Sequence, residues 1–129
     1  MKRRRGSTLV ESALALLSFA VLMAGIMEAG FVMFAANAVT FAAQRTARYA
    51  SVCGSSSGRP MVTQDVQTLA QNNAAPLTGV TANVTWSDPG HIPGSTIKVQ
   101  VVYSIRPEIL PIDGSILTLQ STSLATIVQ

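Results

Sequence analysis

Gly6 and Glu11 are the residues of this chain whose types and spacing invite chemistry. Gly6 closes a run of four basic residues, Lys2, Arg3, Arg4 and Arg5, and Glu11 stands alone in the apolar stretch that follows. A glycine leaves the backbone uncovered, which suits a protease that must reach it. A carboxylate just inside an apolar helix is costly unless something pairs with it. Cutting the chain between Gly6 and Ser7 would create an amine on Ser7, cationic near neutral pH. That amine would lie one helical turn from Glu11 on the same face. The chemistry implied is processing followed by charge pairing, within the chain or across to a neighbour.

The other reactive side chains are isolated. Cys53 is the single cysteine, so neither an intrachain disulfide nor a multi-cysteine metal cage can form. His91 is the single histidine and falls in a turn between Pro89 and Pro93, where a solvated loop residue is expected. Nothing in the sequence orients a Cys53–His91 nucleophile pair. No acid, cysteine or histidine stands at metal-ligand spacing, and no glycine-rich phosphate loop is present. The reading is of a protein that is not an enzyme, with no cofactor, metal or small-molecule substrate. The formal charge of +3 does not indicate a nucleic-acid partner either. Four of the nine basic residues sit in the first five positions, and the remaining five face six acids. The body of the chain is thus nearly neutral.

The elements that must position Gly6 and Glu11 follow from the hydropathy pattern. Residues 1–6 form a basic leader. Residues 7–50 contain no proline and are rich in Ala, Leu, Met and Phe, which predicts one long helix. Between Arg5 and Arg45 the only charges are Glu11 and Glu28. Residues 9–27 span roughly 28 Å as a helix, close to a bilayer core. Glu28 then falls near the far interface, and the basic residues hold the near end in the cytoplasm. In the second half of the helix, Phe31, Phe34, Ala38 and Phe41 recur at steps of three and four and mark one face. That face is expected to pack on the C-terminal tail or on a neighbouring subunit.

Residues 51–61, with their Gly, Ser and closing Pro60, read as a linker. Residues 62–129 read as a small α+β domain. Thr63 is placed as the cap of a short helix with Asp65 in its first turn, and Val62, Val66 and Leu69 as its apolar face. Residues 80–86 and 96–105 alternate as strands around a long hairpin loop, and residues 116–128 supply a third. Pro107 and Pro111 restrict the connection before that third strand. So small a domain needs support, and the Phe face of the long helix is the expected source.

The Gly6–Glu11 arrangement resembles the class III leader of type IV pilins and pseudopilins. In that leader a prepilin peptidase cuts after the glycine, and a Glu occupies the fifth mature position, which Glu11 matches. The segment GSTLVESALALLSFAVLMAGIMEAGFVMFAANAVTFAAQRTARYAS further resembles the TadE-like tight-adherence pseudopilins. It shares with them the Gly-Ile-x-Glu-x-Gly run at Gly25 to Gly30 and the alanine-rich stretch ending in Arg45, Arg48, Tyr49 and Ala50. Ser12 departs from the family, where the residue after the fifth-position Glu is often aromatic. The first 50 residues carry the resemblance specifically and the tail only in layout.

The resemblance implies a minor pilin-like subunit, because the major tight-adherence subunits are very short and nearly all helix. Its implied partners are the prepilin peptidase, other pilin or pseudopilin subunits and inner-membrane lipid. Its implied place is the bacterial inner membrane, as a single-pass protein with a cytoplasmic N-terminus and an extracytoplasmic tail, together with a role in pilus assembly and adhesion. Three other readings stay open on sequence grounds. One is a pseudopilin of a secretion machine, and a second is an unprocessed signal anchor. The third is a secretory signal cut at Ala36-Asn37-Ala38, although Glu28 interrupts the apolar region that such a signal requires.

Overall fold

A computed structural model describes residues 3–106 and 116–128. The start of the leader at Met1 and Lys2, the connection holding Pro107 and Pro111, and the last residue lie outside the described residues. The chain runs through a long helix α1 (Arg3–Ser51), a short helix α2 (Thr63–Asn73) and three strands, β1 (Thr81–Trp86), β2 (Thr96–Ile105) and β3 (Leu117–Thr126). The strands form one antiparallel sheet in the order β1-β2-β3. The architecture is α+β, as the hydropathy pattern predicts.

Helix α1 begins earlier than expected, at Arg3 rather than Ser7. Arginine is a good helix former, and one glycine costs only about 1 kcal/mol in a helix interior, so Gly6 does not break it. Hydroxyls inside the apolar stretch are returned to the backbone. Ser12 donates to the Thr8 carbonyl at 2.8 Å, Ser18 to Leu14 at 2.9 Å and Thr40 to Ala36 at 2.9 Å. Each hydroxyl thereby avoids standing unpaired in apolar surroundings.

The sheet packs its inner face on the distal half of α1. Ile97, Val99, Val101 and Ile105 of β2 are buried there with Val80 and Ala82 from the β1 side. The alternation read from the sequence is therefore the alternation of faces. On α1 the buried residues are Ala35, Val39, Ala42, Ala43, Thr46, Ala47 and Ala50. The expected Phe face is not the one that meets the tail. Phe31, Phe34 and Phe41 are 46%, 48% and 54% exposed, and Ala38 packs only at the margin of the core. The physical reason is size. Alanines let the helix backbone approach the sheet, whereas three phenylalanines would hold it off.

Helix α2 lies beside α1 against β1 and contributes Val66 and Ala70, followed by Ala74, to the same core. Its cap differs from the expectation. Val62 has the extended backbone of an N-cap, and the Val62 amide donates to Asp65 Oδ2 at 3.3 Å. Thr63 is already helical, and its hydroxyl accepts a hydrogen bond from Trp86 Nε1 at 3.1 Å. Val62 is exposed instead of joining the apolar face. The stretch after α1 is tied down at both ends. The Ser55 amide donates to the His91 carbonyl at 3.0 Å and the Met61 amide to the Cys53 carbonyl at 3.1 Å.

These contacts separate two faces of one helix by experiment. Ala42→Leu should destabilise the tail by about 1–3 kcal/mol through overpacking. Phe34→Ala should leave the melting temperature nearly unchanged. Thermal unfolding followed by the fluorescence of Trp86, the only tryptophan, reads both.

Candidate processing and assembly site

Gly6, Ser7 and Glu11 lie on the open half of α1, all exposed. No atom lies within 4 Å of where a side chain on Gly6 would begin. The peptide bond after it is therefore uncrowded, although it is helical. Glu11 meets no hydrogen-bond or ion-pair partner among the described residues. Its distance from Ser7, four residues on one helix, puts both on the same face about 6 Å apart along the axis.

Among the described residues one helix is long and apolar enough to cross a membrane, within Gly6–Ser51, with a mean hydropathy of 2.1 in its most apolar window. None of that window is buried against the rest of the chain. Leu9, Val10, Leu14, Leu16, Leu17 and Phe19 are exposed side chains with no protein cover. Apolar cover for them has to come from lipid or from other helices.

Glu28 marks the change between the open and packed halves. Both of its carboxylate oxygens are shielded, and neither has a hydrogen-bond partner. The sequence places Glu28 at an interface with water. The structure places it on the tail-facing side, four residues before half-buried Val32 and seven before buried Ala35. That signal was available in the spacing, because Glu28 and Thr46 are 18 residues, or five turns, apart and share one face. Thr46 is fully buried, and its hydroxyl accepts from Asn73 Nδ2 at 3.1 Å, joining α1 to α2. This polar bridge also escaped the sequence reading.

The remaining reactive residues sit at the opposite end. His91 adopts φ 52° in the β1–β2 loop, and its ring stacks on Trp86 with centroids 3.8 Å apart. It is half-buried, not the freely solvated residue expected. Cys53 is a free, half-buried thiol. No group of three His, Cys, Asp or Glu residues that could hold a metal ion exists among the described residues.

A small α+β domain mounted on a single long apolar helix, open for its first half, defines a single-pass anchored class of protein. Residues 6–48 match the family described as TadE-like protein, so this segment is similar to that family, as the resemblance implied. The match covers the anchor and the alanine face that carries the tail, and it ends before α2. No curated protein and no solved structure matches the chain.

Glu28 gives this subsection its test. A buried carboxylate without a donor opposes packing, whereas an apolar side chain of similar length does not. Glu28→Met should therefore raise the melting temperature of the tail. A fall of several degrees would show that the carboxylate has a stabilising partner.

Proposed function

We propose that this chain is a minor pilin-like subunit of a tight-adherence pilus, processed by a prepilin peptidase and taking part in pilus assembly and surface adhesion. The observation that carries the reading is the coincidence of the TadE-like match over residues 6–48 with a helix whose first half is bare. A helix with that much uncovered apolar surface suits a subunit that first sits in lipid and then exchanges lipid for the helices of its neighbours. Residues 1–6 would be the leader removed by the peptidase on the cytoplasmic side. The tail would then lie outside the cytoplasmic membrane. Phe31, Phe34, Ala38 and Phe41 are the face we assign to neighbouring subunits, since the tail of the same chain uses another. The tail itself favours a minor role, because it gives the subunit a surface beyond the helix.

Processing is tested by intact mass. Loss of the first six of the 129 residues leaves a chain of 123 beginning at Ser7. Gly6→Leu should retain the leader. Recovery of Met1 on the wild-type protein, in cells that contain the peptidase, would sink the assignment and favour an unprocessed anchor.

The role of Glu11 is tested separately. A carboxylate at a bilayer centre costs roughly 2.5–3.5 kcal/mol, and less near the edge. Its retention in the span is explained by pairing with the Ser7 amine, most strongly where water is scarce. Glu11→Ala should therefore leave insertion and cleavage largely intact and lower incorporation into the assembly several-fold. Comparing processed subunit in membranes with subunit in sheared filaments, or cross-linked to partner pilins, gives the answer. Normal incorporation would remove the pairing role.

A further inference from the structure

Helix α1 runs unbroken across the Gly6–Ser7 bond, from Arg3 to Ser51. In an α-helix the carbonyl of residue 6 accepts from the amide of residue 10, and its neighbours are bonded along the chain in the same way. A protease needs that carbonyl free to be polarised and the flanking backbone free to pair with its own. The bond is therefore protected for as long as the first turn stays wound. The residues that wind it are a poor choice for a helix start. The helix dipole favours acids in the first turn and cations in the last. The far end of α1 complies, with Arg48 in its last turn, whereas the near end has Arg3, Arg4 and Arg5 and no acid. Gly6 weakens the same turn again, since glycine is the least helical residue after proline. Neither packing nor backbone shape calls for it: a side chain there would meet nothing within 4 Å, and its backbone is helical. The residues after the bond carry the opposite signals. Ser7 is of a type that caps helices, and Glu11 is an acid in the early turns.

We propose that the first turn of α1 unwinds before the Gly6–Ser7 bond is cut, and that Arg3, Arg4 and Gly6 keep that turn weak enough to do so. This rests on the reading that the chain is processed at that bond. The arginines act on the cut through the helix, as positioning residues. Unwinding as far as Ser7 releases the carbonyls of residues 3–7 and leaves the helix wound from Thr8 onward, where the Ser12 hydroxyl adds a side-chain bond to the Thr8 carbonyl. The turn lies at the start of the apolar stretch, beside the cytoplasm, where water can take up the released groups. Helix ends open locally at little cost in free energy, so the unwound form is a minor but accessible state. When opening is fast relative to cleavage, the rate follows the population of the open form. Whatever weakens the turn speeds the cut, and whatever stabilises it slows the cut. Once the leader has gone, the weak turn has gone with it, and the helix starts at residues suited to a helix start.

Charge and helix propensity are separated by substituting the same arginine twice. Arg4→Ala and Arg4→Gly lose the same charge, but alanine is the best helix former and glycine among the worst. In cells that contain the peptidase, leader loss from the full chain is followed after a pulse label by intact mass. Arg4→Gly should be cut about fourfold faster than Arg4→Ala, and the same pair at Arg3 should be ordered the same way. Double variants extend the comparison. Arg3→Gly with Arg4→Ala and Arg3→Ala with Arg4→Gly should match each other, and both should exceed the double alanine chain about fourfold, because the turn responds to glycine at either position. Amide exchange on the uncut precursor, from cells without the peptidase, should be faster at residues 7–10 in the glycine chains than in the alanine chains, and unchanged at residues 35–50. An equal fall in rate for glycine and alanine would mean that the peptidase reads the arginine side chains themselves, and would overturn the proposal. Faster cutting of the alanine chains, or rates that do not follow exchange at residues 7–10, would overturn it as well. A wild-type chain that keeps Met1 removes the processing reading itself, and that outcome is seen without any variant.

Discussion

How closely a helix backbone can approach a sheet decides the form of this molecule beyond residue 31. The side of α1 that meets the sheet is built from Ala35, Ala42, Ala43, Ala47 and Ala50, with Val39 and Thr46 among them. Against it lie the buried residues of the inner row of β2, Ile97, Val99, Val101 and Ile105, with half-buried Tyr103 among them. Small residues on the helix and broad ones on the sheet interlock as a thin layer with little volume to fill. This suits a tail with few large side chains of its own. The same thinness makes the contact intolerant of added bulk, because there is no second apolar layer into which an extra methylene could move.

One helix serves two solvents. Its first half is mostly apolar and uncovered, with Glu11 set in it, and its second half carries the tail on one face. The transition falls at Glu28, whose carboxylate is shielded without a donor. Beyond it the exposed face carries Phe31, Phe34 and Phe41 and then the cationic Arg45, whose guanidinium lies 5.7 Å from the Phe41 ring centre. The outward surface thus changes from mostly apolar to mixed along the axis.

Much of this was legible in the sequence. The long helix, the short helix and all three strands were placed within a few residues, because period and turn chemistry are local properties. The inner faces of β1 and β2 were also readable, since alternation in a strand names its buried side. The face of α1 was not. In a helix that borders a membrane, large apolar residues no longer signal burial in the protein, so the Phe stripe carried a false weight and the alanines too little. Thr63 was given the cap because of its residue type, but the backbone turned one residue earlier. The processing site was readable only as chemistry, since the meaning of Gly6 and Glu11 lies in a cut chain and its neighbours.

Helix α1 passes from the open segment into the core without a joint, as one element from Arg3 to Ser51. The tail is therefore keyed to the anchor in azimuth as well as in height. Each residue of an α-helix advances about 100° and 1.5 Å. A single residue inserted between Glu28 and Ala35 would swing the whole tail by more than a quarter turn relative to the span, while lifting it by less than the width of an atom. In any array of such subunits, the direction in which each tail points is thus set by the residue count of the helix, as the teeth of a key are set by their distance from its bow.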